Sequence, residues 1–262
     1  MSALAGFTDA GLQGVRLKKK RQIIKGVPRM MGSHDREVYW VFRGLSVEVA
    51  AGDTLVLVSR DPVRTNSIMR VWAGLLPLDE GEVERPARSL MLVSPQSRWA
   101  RELSVEQTIR LLAGMYGLHD SEVEAIVGPA ARTAQVESLL HRPIDDLGKA
   151  VRDQLAFAIA INAPVPVVMF DHTASIGTPE FRPLCLDQIL ALREAGKGVV
   201  VATHKPQIAL HVGSRAMIVR GKRSEEVDVS AAAEFLIRDR VRGRKLARRR
   251  AEDDDDETGM EF

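Results

Sequence analysis

The segment from Leu55 to Leu76, LVLVSRDPVRTNSIMRVWAGLL, contains the pattern that decides the fold. Its first four residues are an unbroken apolar run, which is typical of a strand buried on both faces. A short polar connection follows, and apolar residues then recur at helical spacing, at Ile68, Val71, Trp72 and Leu75. We expect Thr65 or Asn66 to cap that helix, because a short polar side chain accepts hydrogen bonds from its free N–H groups.

This strand, loop and helix have the order found in a phosphate-binding loop, where free N–H groups and the helix dipole point at an anion. The usual pattern is Gly-x-x-x-x-Gly-Lys-Ser/Thr, and the corresponding residues 59–66 read SRDPVRTN. Ser59 and Arg64 stand in the two glycine positions, and Thr65 stands in the lysine position. The sequence therefore predicts the frame of a nucleotide site whose binding residues are replaced.

Composition narrows the class of protein. The chain has 262 residues, of which 45% are hydrophobic, enough for one large or two small domains. It contains no apolar run long enough to span a membrane and no N-terminal signal core. One cysteine, Cys185, excludes an internal disulfide and fits a reducing cytoplasm. A net charge of +2 is too small to indicate a nucleic-acid partner.

Apolar runs alternate with helical patterns, which predicts an α/β fold with a mostly parallel core sheet. The runs lie at residues 55–58, 90–93, 165–170, 198–202 and 216–219. Residues 37–49 predict paired β-strands. We expect residues 1–35 to form a basic, loosely ordered leader. We expect residues 229–262 to form a C-terminal helix with a basic run and a disordered acidic tail. The basic runs are either solvated or attracted to an anionic membrane surface.

Polar residues follow three of the predicted buried strands, where open α/β sheets bind ligands. Asp171 is either a magnesium ligand acting through water or an ordinary capping residue. His172 is a weaker, pH-dependent substitute for a carboxylate that orients water. His204 is either functional or structural. The functional interpretation is favoured because His204 would lie at the same sheet edge as Ser59 and Asp171. Trp40, or Tyr39 beside it, either stacks on a base or fills the core.

Taken in order along the chain, three segments resemble the nucleotide-binding subunit of an ABC transporter, over about residues 36–225. They are MRVWAGLLPLDEGEV (69–83), LSVEQTIRLLAGMYGL (103–118) and DLGKAVRDQLAFAIAINAPVPVVMFDHTASIGTPEF (146–181). The chain is most similar to the ATPases of bacterial polysaccharide exporters of the capsule and O-antigen types. The resemblance implies a P-loop NTPase-like ABC ATPase fold over residues 36–228. It also implies an antiparallel β subdomain and a helical subdomain at about residues 97–163.

The resemblance implies ATP and Mg²⁺ as cofactors if nucleotide still binds, and none otherwise. The implied nucleotide-binding positions are Trp40, Arg64, Thr65, Asn66, Ser67, Gln96 and Asp171. Of these, the implied Mg²⁺ positions are Ser67, Gln96 and Asp171. The catalytic positions fall at His172, which replaces the family's glutamate, and at His204. The family's signature falls at residues 147–151, LGKAV, where its serine and closing glycine are replaced.

Several of these replacements remove groups that would hold the phosphates of the nucleotide. Pro62 lacks an N–H donor, and loss of the lysine removes a charge-assisted bond of roughly 1.5–3 kcal/mol. The resemblance also implies that two subunits stack head to tail, with each nucleotide between one loop and the other subunit's signature. A homodimer of this chain would therefore have two sites that are each damaged twice.

We therefore expect a degenerate, non-hydrolysing ABC subunit that acts as a scaffold or regulatory partner of a membrane permease in polysaccharide export. The subunit would form a homodimer, or a heterodimer with another ABC ATPase, at the cytoplasmic face of the bacterial inner membrane. One alternative is an atypical active ATPase that energises polysaccharide export, using Arg64, Asp171, His172 and His204. Another is a module outside transport whose basic ends bind anionic lipid.

Overall fold

The structure is a computed structural model that describes residues 3–17, 36–85, 87–93, 102–221 and 223–241. The strands are β1 (Ala3–Leu17), β2 (Arg36–Ala50), β3 (Thr54–Val58), β4 (Glu80–Glu84), β5 (Ser89–Val93), β6 (Val167–Asp171), β7 (Gly198–Ala202), β8 (Arg215–Val219) and β9 (Ser224–Val227). The α-helices are α1 (Pro62–Trp72), α2 (Val105–Met115), α3 (Asp120–Thr133), α4 (Lys149–Asn162), α5 (Phe181–Glu194), α6 (Pro206–Val212) and α7 (residues 229–241). Short 3-10 helices lie at Glu137–Leu139 and Ile144–Asp146.

The core sheet has the strand order β5-β6-β7-β3-β8-β9 within the described residues, and only its edge strand β9 is antiparallel to its neighbour. Successive residues of a strand point to opposite faces. Val199 and Val201 pack in the cluster that contains Phe157 of α4, whereas Val200 packs in the cluster that contains Ile68 of α1. Both faces are therefore buried, which explains the continuous apolar runs and confirms the predicted mostly parallel sheet.

The expectation of a loosely ordered leader is wrong for Ala3–Leu17. These residues form β1, which pairs antiparallel with β2 from Ala3 opposite Ala50 to Leu17 opposite Arg36. Phe7 is buried and stacks on Trp72 of α1, with ring centroids 4.6 Å apart and an interplanar angle of 22°. Residues distant in sequence stabilise this strand through pairing and burial. The sequence of residues 3–17 alone therefore does not predict it. Residues 18–35 of the predicted leader lie outside the described ranges.

A second sheet, ordered β2-β1-β4 in the described part of the chain, forms the antiparallel β region. Residues 37–49 belong to the single strand β2 and do not pair with each other, because β1 supplies the partner. Burial of Phe42 and Leu45 turns this sheet towards α1 and the core sheet.

Helix α1 begins at Pro62, so the expectation that Thr65 or Asn66 caps it is wrong. Asp61 is the N-cap, and its carboxylate Oδ1 accepts a hydrogen bond from Val63 N–H at 3.0 Å. Proline is favoured in the first turn because its fixed φ suits the helix and its missing N–H would be unpaired there.

Helices α2, α3 and α4 pack against one another. The predicted capping box at the start of α2 is confirmed, since Ser104 Oγ accepts from Gln107 N–H at 3.1 Å and Gln107 Oε1 accepts from Ser104 N–H at 2.9 Å. At the other end of the chain, α7 buries Leu236 against β3. The basic run and acidic tail beyond residue 241 lie outside the described residues. Among the described helices, none is both long and apolar enough to cross a membrane.

We predict that Phe7→Ala lowers the free energy of unfolding by about 3–5 kcal/mol, because it leaves a cavity between β1 and α1. Urea denaturation measures this change. Val15→Thr is the matched control on the same strand, since Val15 is 62% exposed; it should change stability by no more than about 0.5 kcal/mol. Equal stabilities of the two variants would contradict the docking of β1.

Candidate functional site

Strands β6, β7 and β3 are neighbours in the core sheet, so their carboxyl ends share one edge. Ser59 follows β3, Asp171 ends β6, and His204 follows β7 after one residue. This is the edge at which open α/β sheets bind ligands. The edge and the first turns of α1 form the candidate site.

In the loop before α1, the carboxylate of Asp61 accepts a hydrogen bond from the free N–H of the helix start. Asp61 caps the helix through Val63 N–H, and its own N–H donates to Ser59 Oγ at 3.2 Å. Ser59 Oγ in turn donates to Val219 O at 2.9 Å, which ties the loop to β8. A negative charge at a helix N-terminus is stabilised by the helix dipole. The chain thus places its own anion at the helix start, where a phosphate-binding loop would hold a phosphate.

Arg64 lies in the family's second glycine position, and its guanidinium is held by the backbone. Its Nη1 donates to Trp40 O at 3.2 Å and to Val41 O. Its Nε lies 3.8 Å from Asp61 Oδ2. A Cβ at Gly221 would lie only 2.7 Å from Nη1, so the side chain fills the space beside the β8–β9 turn. The charge of Arg64 is therefore directed at β2 and at Asp61.

The side chains at the other implied loop positions are buried or bonded to neighbouring residues. Thr65, in the lysine position, is buried, and its hydroxyl donates to Pro62 O at 3.1 Å. Ser67 is also buried. Asn66 Nδ2 donates to Asp171 Oδ2 at 2.5 Å. One oxygen of the implied magnesium ligand is thus bonded to an amide of the chain itself.

The two histidines implied as catalytic are in contact. His172 Nδ1 and His204 Nδ1 are 3.2 Å apart, with ring centroids 5.1 Å apart. His172 has a left-handed backbone, φ +56°, and its N–H donates to Ala202 O at 3.1 Å. His172 Nε2 lies 3.9 Å from Asp171 Oδ1, and both of these buried atoms lack a hydrogen-bond partner in the described structure.

Burial lowers the pKa of His172 below its ordinary value of 6.5. The charge of Asp171 acts in the opposite direction, and His204 adds to the lowering. Burial also lowers the pKa of His204, with smaller contributions from the positive charges of Lys205 and Arg240. Both rings are therefore predominantly neutral at pH 7.

The remaining implied positions lie apart from this cluster or outside the described ranges. Trp40 lies on β2 with the guanidinium of Arg43 over its ring, 4.5 Å from the centroid. Gln96 lies outside the described residues. Gly148, in the implied signature, is the N-cap of α4 and offers no side-chain cap. Sequence reasoning missed Asp61, although an Asp-Pro pair before a helical pattern was the available signal.

A cavity of about 730 Å³ lies beside the loop, between β8, β9 and α7. Its arginines are paired: Arg60 with Asp239 at 2.9 Å, Arg220 with Glu225 at 3.4 Å, and Arg238 with Glu234 at 2.7 Å. The guanidinium of Arg60 also lies over the ring of Phe235, 5.5 Å from its centroid. The ion pair of Arg60 with Asp239 therefore joins α7 to the loop.

This arrangement does not fit a Mg²⁺–nucleotide complex. The carboxylate of Asp61 would face the phosphates, Pro62 offers no N–H, and Thr65 has no charge. Asp171 holds Asn66 through one oxygen, so the described conformation leaves only its buried Oδ1 for an ion. Binding would require the loop to break contacts that it makes with its own residues.

No protein-family model matches the chain. It is 28% identical over 167 residues to the teichoic acids export ATP-binding protein TagH of Levilactobacillus brevis, covering 63% of this chain and 46% of that protein. It is 26% identical over 191 residues to the Nod factor export ATP-binding protein I of Sinorhizobium fredii, covering 68% of this chain and 55% of that protein. The chain spans about half the length of the curated relatives that it matches.

The fold is that of ABC ATP-binding cassettes. A cassette solved as a dimer with ADP and Pi superposes with a TM-score of 0.63 at 14% identity, covering 85% of this chain and 98% of that one. The predicted ABC ATPase fold is confirmed, and so is the resemblance to export ATP-binding proteins of the polysaccharide type.

We predict that the free energy of unfolding falls as the pH is lowered through 6.5 towards the lower pKa of folded His172. The unfolded chain takes up protons that the folded site resists, so stability is present above pH 6.5 and is lost below it. His172→Gln should reduce this loss, measured by urea unfolding at a series of pH values.

His141→Gln is the control for that measurement, because the His141 side chain is 90% exposed. It should keep the pH dependence of the unmodified chain. A His172→Gln variant with an unchanged pH dependence would contradict the assigned environment of His172.

Proposed function

We propose that the chain is a non-hydrolysing ATP-binding-cassette subunit of a polysaccharide-type exporter. It acts as a scaffold or regulatory partner of a membrane permease, and it holds no Mg²⁺–ATP in its own loop. The observation that carries this proposal is the capping of α1 by Asp61.

The cap supports the proposal because it combines two effects. The carboxylate occupies the positive end of the helix. It also engages the charge of Arg64, whose Nε lies 3.8 Å from Asp61 Oδ2, so that charge is not free to attract a phosphate. A triphosphate would have to approach this carboxylate against electrostatic repulsion. The loop has no lysine to offset this repulsion. The lysine position holds Thr65, which is buried and whose hydroxyl donates to Pro62 O.

The bond between Asn66 and Asp171 supports the same conclusion from the metal side. The side-chain amide satisfies Asp171 Oδ2 directly, so folding of the site does not depend on a magnesium ion. The position after Asp171 holds a histidine whose Nδ1 faces His204 Nδ1 and whose pKa is lowered by burial, so its ring is a weaker proton acceptor than a free imidazole or the carboxylate that it replaces.

The transport assignment rests on relatives that are named as export ATP-binding proteins. By that similarity, the partner is a membrane permease, and the cassette pairs either with itself or with another ABC ATPase. The subunit then lies at the cytoplasmic face of the bacterial inner membrane, held there through the permease.

Helix α2 offers a surface for that permease. Leu111 and Met115 are 46% and 73% exposed and lie one turn apart. They lie within about residues 96–118, where the resemblance to ABC transporter subunits implies the groove between the two lobes that docks the membrane subunit. Exposed apolar pairs on an otherwise well-packed helix suit a partner that buries them.

We predict that the purified chain releases no phosphate from Mg²⁺–ATP, alone or with its permease, and that Mg²⁺–ATP does not raise its melting temperature. A ligand that binds only the native state must raise that temperature. The matched variant restores the loop with Ser59→Gly, Asp61→Asn, Pro62→Gly, Arg64→Gly, Thr65→Lys and Asn66→Ser, and it should gain a Mg²⁺–ATP-dependent shift. Phosphate release by the unaltered chain that Asp171→Ala abolishes would establish the atypical ATPase instead.

We predict that Leu111→Asp with Met115→Asp weakens binding to the co-expressed permease by about 2 kcal/mol or more, roughly 30-fold in Kd. Affinity purification of the permease measures the bound cassette. Leu210→Asp is the control, since Leu210 is 55% exposed but lies on α6. Unchanged binding by the α2 variant, with its folding intact, would exclude this surface.

A further inference from the structure

We propose that His172 and His204 form a binding site for a divalent transition-metal ion of the Zn²⁺ class. Their Nδ1 atoms are 3.2 Å apart. Zinc binds histidine nitrogen at about 2.0–2.1 Å, so two tetrahedral nitrogen ligands lie roughly 3.3–3.4 Å from each other. Among the described residues, no group of three or more His, Cys, Asp or Glu side chains is placed to hold a metal. The described residues offer two histidine ligands to the ion, and water would complete its coordination.

A second observation concerns the opposite nitrogen of His172. Its Nε2 is buried without a partner and lies 3.9 Å from Asp171 Oδ1, which is also buried without a partner. If Nδ1 binds a metal, Nε2 carries the proton and faces that carboxylate. Metal-binding histidines commonly donate their second N–H to a carboxylate, which orients the ring and raises its basicity. A metal on Nδ1 would therefore place a donor, Nε2–H, opposite the unpaired Oδ1 of Asp171.

The backbone of His172 is a third, independent observation. Its φ of +56° lies in the left-handed region, which is unfavourable for a residue with a Cβ. The hydrogen bond from its N–H to Ala202 O holds this conformation at the end of β7. Strained residues of this kind concentrate at ligand sites, where the surrounding structure maintains them. This backbone conformation occurs together with the 3.2 Å approach of the His172 and His204 rings.

The ligand atoms decide the class of metal. Imidazole nitrogen suits Zn²⁺, Cu²⁺ and Ni²⁺, whereas Mg²⁺ requires oxygen ligands and retains its water. Lys205 and Arg240 place positive charge near His204 and oppose a dication, while Asp171 favours one. The competing description is a direct hydrogen bond between the two rings, with the proton on one Nδ1. Only the metal site predicts a saturable response to Zn²⁺.

The test is calorimetric titration of Zn²⁺ into the full, chelator-treated chain near neutral pH without nucleotide. We expect one site per chain that is lost in both His172→Gln and His204→Gln. Asp171→Asn should weaken the site by about 10- to 100-fold, as expected for a carboxylate that orients a ligand. Zn²⁺ should raise the melting temperature of the unmodified chain and leave that of His204→Gln unchanged.

His141→Gln and His211→Gln are the controls, and both should bind Zn²⁺ as the unmodified chain does. Because His204 is exposed, His204→Gln keeps the test decisive even if His172→Gln does not fold. Absence of stoichiometric binding would overturn the proposal, and so would binding that survives in His204→Gln. The titration contains no nucleotide, so its outcome is separate from the proposed lack of ATP hydrolysis.

Discussion

The hydrogen bond from Val63 N–H to the carboxylate of Asp61 decides the chemistry of this site. In the helix that it caps, Thr65 is buried and bonded to Pro62 O, and the guanidinium of Arg64 is directed towards β2. Each of these features differs from what a phosphate-binding loop needs. The N–H donor of Val63 is therefore already bonded to a residue of the loop, and a free anion would have to displace the Asp61 carboxylate.

Outside that loop, the core of the fold is well packed. The core strands are buried on both faces, and their order brings the ends of β3, β6 and β7 to one edge. Convergence at this edge places Asn66 against Asp171 and His172 against His204. At this edge, where open α/β sheets bind ligands, the side chains therefore bond to each other.

Some of this could be predicted from sequence. Buried strands such as β7 appear in the sequence as continuous apolar runs, and Ser104 with Gln107 indicates the start of α2. Strand β1 could not be predicted in this way, because its glycines and register shifts interrupt the alternation and β2 supplies its stabilising contacts. The contact between His172 and His204 depends on the pairing of β6 with β7, which a linear pattern does not specify. The phosphate-loop frame predicts a cap at Thr65 or Asn66, whereas the Asp61–Pro62 pair, which falls in variable positions of that frame, starts the helix earlier.

The most direct measurement of the central claim is the response of the backbone amides of residues 59–67 to Mg²⁺–ATP, followed by NMR. Val63 N–H, bonded to Asp61, is the most informative of these amides. The account predicts no saturable chemical-shift change at these amides as nucleotide is added. Saturable shifts centred on Val63 and Arg64, with loss of the cap, would show that the loop still accepts a triphosphate and would contradict the account.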